Sequence, residues 1–291
     1  MQPLVLNYLR AKKQFPHVWC PGCGHGVVMG SLIRAIDKLN YSKDNVVMVS
    51  GIGCSSRMTA YVDFNTLHTL HGRPIAFATG LKMAKPEMPV IVITGDGDAI
   101  AIGGNHFIHA ARRNIDLTVV LMNNNIYGMT GGQISPTTPY GGRGSTARAG
   151  NPEHPFDISK LAIAAGATFV ARTTTYHVPA MDRLIQQALV NKGFSLVEIF
   201  SQCPTYEGKW NKRGDAAQML KYYKENAVPI ALKSKYSTEE LKDKFFIGIL
   251  HQESKPEFTE EYQKIIEKYQ VKEQLNNPRN KKTENGPKGK E

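Results

Sequence analysis

The chain has 291 residues, of which 41% are hydrophobic, and its 36 Lys and Arg against 25 Asp and Glu give a formal net charge of +11. That apolar fraction is enough to build a buried core, so disorder of the whole chain is excluded. No apolar run approaches the roughly 18 residues that span a bilayer, and the N-terminus lacks the apolar core of a secretory signal, so we expect a soluble cytoplasmic protein without a membrane partner.

Segments with helical spacing of apolar residues alternate along the chain with short runs rich in β-branched residues. Helices are predicted at residues 26–39, 76–85, 99–113, 156–165 and 177–191, and strands at residues 46–50, 89–94, 116–122, 168–171 and 194–200. Such alternation predicts an α/β fold with a mostly parallel sheet covered by helices on both faces. Ligands of such sheets bind at the carboxyl ends of the strands. The loop 128–150 is long and rich in Gly, Pro, Ser and Thr, which is typical of functional loops.

Composition divides the chain into three parts. Residues 1–207 carry the alternating pattern and are predicted to form the α/β domain. Residues 208–270 are more polar, show no further strand–loop pattern, and are predicted to be an extension that packs on a partner subunit. Residues 271–291 are predicted to be a disordered basic tail.

The positive charge is shared almost evenly by residues 1–207 and 208–291, without a zinc-finger, RRM or KH signature, so an acidic protein partner is favoured over nucleic acid.

The four cysteines lie in turns that contain Gly or Pro. Cys20 and Cys23 form a Cys-Pro-Gly-Cys motif, Cys54 lies in Gly-Ile-Gly-Cys-Ser-Ser, and Cys203 precedes a proline. Inert buried thiols would instead be scattered through apolar periodic segments, and a reducing compartment disfavours disulfides. Four thiolates complete either a tetrahedral zinc site or an iron–sulfur cluster. The single CxxC motif and the Cys-Pro pair favour a 4Fe–4S cluster and leave zinc open.

Polar residues follow two consecutive predicted strands. Residues 95–98 read Gly-Asp-Gly-Asp, and residues 123–125 read Asn-Asn-Asn. Asp96 and Asn124 are separated by about one strand–helix–strand crossover, so we expect their side chains to meet at one edge of the sheet. Carboxylate and amide oxygens suit Mg²⁺, and the glycines allow backbone amides to approach phosphates closely. The sequence therefore predicts a magnesium and diphosphate site, with ordinary Asp-Gly and Asn-rich turns as the alternative.

Taken together, these motifs resemble a known family. The segments WCPGCGHG, GIGCSSR, LHGRPIAFATGLKMAKP, GDGDAIAIGGNHFIHAARRN and NNNIYGMTGGQ resemble the β subunit of 2-oxoacid:ferredoxin oxidoreductases, over roughly residues 12–210. The resemblance implies a thiamine diphosphate-binding fold and the thiamine-dependent oxidative decarboxylation of a 2-oxoacid with coenzyme A. The implied products are an acyl-CoA and CO₂, with electrons passing through a 4Fe–4S cluster to ferredoxin, reversibly in principle. 2-Oxoglutarate, giving succinyl-CoA, is favoured, and pyruvate or a branched-chain oxoacid remains open.

The resemblance also implies roles for individual residues. It implies Mg²⁺ ligation by Asp96, Asn124 and the backbone carbonyl of Ile126, and a 4Fe–4S cluster on Cys20, Cys23, Cys54 and Cys203. Contacts to the diphosphate and thiazolium are implied for Ile52, Gly53, Cys54, Ser55, Gly97, Asp98, Gly128 and Met129. In this family the glutamate that activates the cofactor comes from the partner subunit, and no glutamate here lies in a recognisable motif for it. We therefore expect a heterodimer with an α (or fused γα) subunit, which is required for turnover.

Three further residues are candidates for contact with the substrate. Arg57, which follows Cys54-Ser-Ser, is a candidate for binding a second substrate carboxylate, because Arg binds carboxylates through two hydrogen bonds. His71 and Arg73 precede an Ala-rich helix and are candidates for contact with the reacting carbonyl or the substrate carboxylate. The alternative for the His-Gly-Arg segment is a capped turn with a surface Arg. The alternatives for Arg57 are a contact with a phosphate, a contact with the partner subunit, or a solvated side chain.

A basic segment and two rival functions complete the sequence-based hypotheses. Lys209, Lys212 and Arg213 follow the last cysteine and predict a cationic rim for an acidic ferredoxin. One rival is a non-oxidative thiamine decarboxylase or synthase whose cysteines hold structural zinc. The other is a basic electron-carrier or nucleic-acid-binding module without catalysis.

Overall fold

The computed structural model describes residues 4–11 and 16–276, and its centre is an eight-stranded sheet. The strands of this sheet are β1 (Val47–Ser50), β2 (Asn65–His68), β3 (Val90–Gly95), β4 (Thr118–Asn123), β7 (Phe169–Thr174), β8 (Ser195–Phe200), β9 (Ala227–Pro229) and β10 (Phe245–Gln252). They lie in the order β2-β1-β3-β4-β8-β7-β10-β9, and among them only β10 and β7 pair antiparallel. A separate antiparallel hairpin joins β5 (Ile126–Tyr127) to β6 (Gln133–Ile134). The predicted mostly parallel sheet is confirmed.

Helices connect most of these strands. They are α1 (His25–Lys38), α2 (Met58–Tyr61), α3 (Pro74–Ala84), α4 (Gly104–Arg112), α5 (Ile158–Ala165), α6 (Val178–Val190), α7 (Ala216–Asn226) and α8 (Phe258–Asn276). In the part of the chain that the structure describes, four 3₁₀ turns cover Leu4–Tyr8, Lys43–Asn45, Ser55–Arg57 and Ile230–Lys235, and two π-helical turns cover Gly97–Ile102 and Pro204–Gly208. Within the described residues, no helix combines the length and the apolar character that a bilayer span needs.

The central strands are apolar along their whole length because helices cover both faces of the sheet. On one face α1 and α6 pack over Met48 and Ile93, and on the other α3, α4 and α5 pack over Val49 and Val92. Adjacent residues of a strand point to opposite faces, so burial on both faces requires a nearly continuous apolar run. The prediction of helices on both faces is confirmed, and each predicted helix and strand has a counterpart in the structure.

The extension contains strands that the sequence analysis did not predict. β10 pairs antiparallel with β7, and β9 pairs with β10, so part of the segment 208–270 belongs to the main sheet. The expectation of no further strand was wrong, because the polar composition of the segment masked the apolar run at the start of β10. The predicted boundary of the disordered tail at residue 271 falls inside α8, and residues 277–291 lie outside the described residues.

Candidate active site

A pocket opens at the carboxyl ends of β1, β3 and β4, three parallel strands that are neighbours in the sheet. Its lining comes mainly from the loops after these strands, and it consists of His25, residues 52–55, His71, residues 95–98, Met122, Asn124 and residues 126–130. Every residue that the resemblance assigned to the magnesium ion or to thiamine diphosphate is in this set. The fold therefore brings together residues that lie in three separate sequence motifs.

Asp96 is the buried acid of the pocket. It is 3% exposed, and its Oδ2 accepts hydrogen bonds from the hydroxyls of Ser135 and Thr137, each at 2.6 Å. Burial raises the pKa of Asp96 above its ordinary value, although both hydroxyls oppose the shift by stabilising the carboxylate. The composition of the loop 128–150 predicts a functional role, but no local sequence pattern shows which of its hydroxyl groups contact Asp96.

The three asparagines at the end of β4 have different surroundings. Asn124 lines the pocket, whereas Asn123 donates from Nδ2 to Glu198 at 2.9 Å inside the sheet. Asn125 has a φ of 58°, in the left-handed region that Asn tolerates better than most residues. This turn brings Asn124 and Ile126 to the same pocket as Asp96. The carboxylate, amide and carbonyl oxygens of these residues are of the kinds that bind a magnesium ion.

Gly97 and Tyr127 form one wall of the pocket. The hydroxyl of Tyr127 donates to the carbonyl oxygen of Gly97 at 3.3 Å, and a Cβ at position 97 would overlap the Tyr127 ring. Position 97 therefore requires glycine. Burial and the charges of Asp96 and Asp98 raise the pKa of Tyr127 to about 12, which keeps this phenol protonated as a donor. The sequence analysis did not identify Tyr127.

The side chain of Asp98 is bound by the protein itself. Its carboxylate is 2% exposed and accepts hydrogen bonds from the backbone amide of Gly72 and from the hydroxyl of Thr94, both at 2.7 Å. It also pairs with His71, which lines the pocket. Because protein donors already bind the carboxylate of Asp98, a contact between Asp98 and a diphosphate would be made by its backbone amide.

The four cysteines approach one another beside the pocket. A Cβ at Gly128 would lie 3.5 Å from Sγ of Cys54 and 3.7 Å from Sγ of Cys203. The turn that carries the other two cysteines is held against the Cys203 loop, because Nε2 of Gln202 donates to the carbonyl of Gly22 at 3.1 Å. A contact between residues 180 positions apart in the sequence thus helps to bring these thiols together.

Burial and the nearness of the other thiols disfavour the charged thiolate form of these cysteines. Burial raises the pKa of Cys23 to about 12, and the charges of the other three cysteines contribute to the shift. Burial, with Cys203 and Cys20, likewise raises the pKa of Cys54 to about 11. Four thiolates at this position therefore need metal cations to stabilise them, and thiolates are the ligands of iron–sulfur clusters. Within the described residues, however, no group of three or more His, Cys, Asp or Glu side chains is arranged so that it could hold a metal ion.

The other predicted candidates lie outside the lining of the pocket. Arg57 lies at its rim, where Nη2 is 3.7 Å from Sδ of Met129. Arg73 contacts Nε2 of His106 on α4 at 2.6 Å, and the structure does not bring it into the pocket. All three residues of the predicted cationic rim, Lys209, Lys212 and Arg213, are exposed.

Arg213 differs from its two neighbours in the predicted rim. It forms an ion pair with the buried Glu207 at 3.0 Å. Burial raises the pKa of Glu207, and the charge of Arg213 opposes the shift. The charge of Arg213 is thus partly neutralised by Glu207, so the cationic rim for an acidic partner depends mainly on Lys209 and Lys212.

Comparisons with known proteins agree with this geometry. The family described as "Thiamine pyrophosphate enzyme, C-terminal TPP binding domain" matches residues 51–199. The 2-oxoglutarate synthase subunit KorB of Methanocaldococcus jannaschii is 53% identical over 264 residues, which cover 91% of this chain and 97% of that protein. Its counterpart in Archaeoglobus fulgidus is 50% identical over 265 residues, covering 91% of this chain and 95% of that protein.

A solved structure is also similar. It is 2-oxoglutarate:ferredoxin oxidoreductase from Magnetococcus marinus with 2-oxoglutarate, coenzyme A and succinyl-CoA bound. The similarity has a TM-score of 0.81 at 36% sequence identity and covers 91% of this chain and 90% of that chain. At this level of identity the likeness extends beyond the general fold.

Proposed function

This chain belongs to the family of 2-oxoacid:ferredoxin oxidoreductase β subunits of the 2-oxoglutarate type, and on that basis we propose that it oxidises 2-oxoglutarate with coenzyme A to succinyl-CoA and CO₂. The observation that carries the proposal is the convergence of Asp96, Asn124 and Gly97 on one pocket. That pocket lies within the part of the chain that matches the thiamine diphosphate-binding family.

Thiamine diphosphate and its magnesium ion are proposed to occupy this pocket. When bound, the cofactor supplies a carbon nucleophile for the 2-oxo group, and a 4Fe–4S cluster supplies a one-electron acceptor. The oxygens of Asp96, Asn124 and the Ile126 carbonyl would hold the magnesium ion, and Gly97 would allow the diphosphate to approach the backbone. Residues 52–55 and 128–129, with the amide of Asp98, are proposed to complete the contacts to the cofactor.

The cluster is proposed to be held by Cys20, Cys23, Cys54 and Cys203. Two of these thiols lie close to Gly128, and both Cys54 and Gly128 also line the cofactor pocket. This adjacency supports electron transfer between the two groups, because short separations favour it. The rival with structural zinc would use the same thiols but would have no acceptor for electrons.

A partner subunit is proposed to complete the catalytic site. No glutamate is among the described residues that line the pocket, so the carboxyl group that activates the cofactor is proposed to come from an α (or fused γα) subunit. Residues 208–270 are proposed to contribute to the contact with that subunit. Arg57, at the rim beside Met129, is proposed to bind the second carboxylate of 2-oxoglutarate.

The exposed side of α3 supports a subunit interface next to the pocket. Its exposed residues are Ala76, Phe77, Gly80 and Ala84, none of which is charged. The one lysine of the helix, Lys82, points inward, is 2% exposed, and pairs with Asp116 at 2.7 Å. A Cβ at Gly80 would meet no atom within 4 Å, so the space beside it is open to another backbone. An uncharged exposed face is typical of protein–protein interfaces, and α3 begins three residues after His71.

Electron transfer to ferredoxin is the last part of the proposal. Cys20 is exposed, whereas the other three cysteines are partly buried, so the cluster would be most accessible on the Cys20 side. The exposed Lys209 and Lys212 would attract an acidic ferredoxin to the same region by charge complementarity.

Anaerobic purification of the chain together with its α subunit tests the proposal. We expect thiamine diphosphate, magnesium, iron and acid-labile sulfide in the complex, and reduction of ferredoxin that depends on both 2-oxoglutarate and coenzyme A. Reduction of ferredoxin with pyruvate or a branched-chain 2-oxoacid in place of 2-oxoglutarate would show a different substrate specificity. A complex that contains zinc without iron, and that decarboxylates without reducing ferredoxin, would contradict the proposal.

A further inference from the structure

Glu198 is a buried carboxylate inside the sheet. It is 1% exposed and is the one charged residue of β8. Its Oε2 accepts hydrogen bonds from the hydroxyl of Ser159 at 2.6 Å and from Nε of Arg172 at 2.8 Å, and its Oε1 accepts one from Nδ2 of Asn123 at 2.9 Å. Arg172 also pairs with Asp157, the N-cap residue of α5. The carboxylate therefore joins α5 and β7 to the end of β4.

The energetics of this buried ion pair point to a role other than stability. Taking two charges out of water has a large desolvation cost, which their attraction offsets only in part, so apolar residues at such positions are often neutral or stabilising. The neighbouring residues of β8, Leu196, Val197 and Ile199, are fully buried and apolar. A charged residue at position 198 therefore needs a reason beyond packing, and its contact with Asn123 supplies one.

The contact with Glu198 sets the orientation of the Asn123 amide. With Nδ2 donating to Glu198, Oδ1 is left to accept a hydrogen bond from the backbone amide of Asn125 at 3.2 Å. The same Oδ1 lies 3.0 Å from the hydroxyl of Thr137. A flipped amide would bring two acceptors together at Glu198 and would set an NH₂ group against the backbone N–H of Asn125, so both hydrogen bonds would be lost. The carboxylate thus keeps Oδ1 on the side of Asn125 and Thr137.

Both groups that contact Oδ1 of Asn123 lead to proposed magnesium ligands. An Asn side chain that accepts from the amide two residues further on forms an Asx turn. This turn carries Asn124 and leads directly to Ile126, and both residues line the pocket. The hydroxyl of Thr137 lies 2.6 Å from Oδ2 of Asp96. One amide group therefore contacts the two segments that position all three proposed ligands.

We propose that Glu198 is a positioning residue for the magnesium site and that it acts through the amide of Asn123. The inference rests on the proposed function and extends it to a carboxylate that is not part of the pocket lining. The ion pair with Arg172 holds the carboxylate, and the carboxylate orients the amide. The amide in turn fixes the turn and the loop that present the oxygen ligands.

Two substitutions reverse the direction of the hydrogen bond between these side chains. In Glu198→Gln the charged Arg172 retains the oxygen of the new amide, so the NH₂ group faces Asn123, which must flip or lose the contact. In Asn123→Asp two carboxylates face each other, which is strongly unfavourable in a buried site. In the double variant the new NH₂ group donates to the new carboxylate, which can still accept from Asn125 and Thr137.

The measurement is the dissociation constant of Mg²⁺ at a fixed excess of thiamine diphosphate, made on the αβ complex after removal of both. Thermal unfolding of each complex is recorded in parallel. The matched control is Glu257→Gln, because Glu257 is also a buried carboxylate, 3% exposed, with donors from the amide of Asp116 and the hydroxyl of Thr259. Asp116 precedes β4, so this carboxylate lies at the edge of the sheet opposite the pocket.

We expect Glu198→Gln and Asn123→Asp each to weaken binding of Mg²⁺ by about tenfold or more, the effect of one hydrogen bond to a charged group. The double variant should bind Mg²⁺ within about threefold of the wild type, because the two changes compensate each other. A general loss of stability would produce no such rescue. Glu257→Gln should lower the unfolding temperature and leave the dissociation constant within about twofold of the wild type, because this distant site acts independently.

Three results would overturn the inference. The first is unchanged binding of Mg²⁺ in Glu198→Gln, and the second is a double variant that binds no better than Asn123→Asp. The third is an equal loss of affinity in Glu257→Gln, which would show that any damage to the buried polar groups weakens the site. If Glu198→Gln does not fold, the comparison of Asn123→Asp with the double variant still decides between rescue and no rescue. A wild-type complex that binds neither Mg²⁺ nor thiamine diphosphate would instead refute the proposed function, so the two failures are distinguishable.

Discussion

The hydroxyl oxygen of Thr137 lies 2.6 Å from Oδ2 of Asp96, although the two residues are 41 positions apart in the sequence. The same hydroxyl lies 3.0 Å from Oδ1 of Asn123, so the long loop is fixed against the ends of both β3 and β4. Since Asp96 is the proposed magnesium ligand, the position of this carboxylate depends on a residue that no motif identifies.

Thr137→Val should weaken the binding of Mg²⁺ and thiamine diphosphate. The substitution keeps the shape of the side chain but removes a hydrogen bond to a carboxylate, which is worth about 1.5–3 kcal/mol, or roughly tenfold or more in affinity. The measurement is the dissociation constant of thiamine diphosphate at several Mg²⁺ concentrations. Thr137→Ser restores the hydroxyl and should restore most of the affinity, and equal affinities for all three proteins would contradict the role of this contact.

Cys203→Ala should remove the cluster and leave the thiamine site intact. Three thiolates hold a 4Fe–4S cluster less firmly than four, so we expect lower iron and sulfide content and weaker visible absorbance in the anaerobically purified complex. Thiamine diphosphate binding should remain within about threefold of the wild type, because the magnesium and diphosphate contacts come from other residues. Full iron content in this variant would show that Cys203 is not a ligand.

Phe77→Glu should weaken association with the α subunit. The substitution places a charge on the uncharged exposed side of α3, and burial of an unpaired charge at an interface costs several kcal/mol. The measurement is the fraction of α subunit retained in pull-down and size-exclusion experiments. Val190→Glu adds the same charge at a residue of α6 that is 58% exposed, and it serves as the control. Similar retention for both variants would place the interface elsewhere.

Charge reversal at Lys209 and Lys212 should raise the KM for ferredoxin and flatten its dependence on salt. Both lysines are exposed, and exposed charges act mainly on the encounter of oppositely charged partners. The matched control reverses the charges of Lys235 and Lys242, which are also exposed and follow β9 in the sequence. Because two lysines are changed in each double variant, the change in net charge is the same. The idea fails when both double variants respond alike, because net charge alone would then explain the effect.

Stability should depend on pH through Asp157, which caps α5 and pairs with Arg172. Burial acts to raise the pKa of Asp157, but the charge of Arg172 and the amide of Lys160 outweigh it, so the folded-state pKa lies below the ordinary value. A depressed pKa stabilises the fold above about pH 3.9 and stops doing so as the pH falls through the folded-state value.

Asp157→Asn should therefore be less stable than the wild type near neutral pH, and the difference should shrink in acid. Urea unfolding midpoints measured from pH 7 downward give the comparison. A difference that stays constant with pH would show that the carboxylate charge contributes nothing.

Much of the site could be predicted because its residues lie in local motifs at strand ends. Asp96 and Asn124 each follow a strongly apolar run, and parallel strands bring their carboxyl ends to a common edge. Both residues line one pocket for that reason. The loops that supply Cys54 and Gly128 follow from the same argument.

Other residues of the site could not be predicted from local patterns. Ser135 and Thr137 contact Asp96 only because the long loop folds back toward the pocket. Glu198 lies within the predicted strand 194–200, and its carboxylate accepts hydrogen bonds from Asn123, Ser159 and Arg172. A buried carboxylate needs several partners, and these come from distant parts of the chain.

The sequence by itself determined the α/β class, the order of the main strands and helices, and the ends of the strands at which polar residues cluster. Periodicity and turn residues carry that information, because each acts over a few neighbouring positions. Only the tertiary structure decided that β10 joins the sheet, that Arg73 lies outside the pocket, and that Asp98 holds His71. These outcomes depend on contacts between residues far apart in the chain, where packing and the need to pair buried polar groups outweigh local preference.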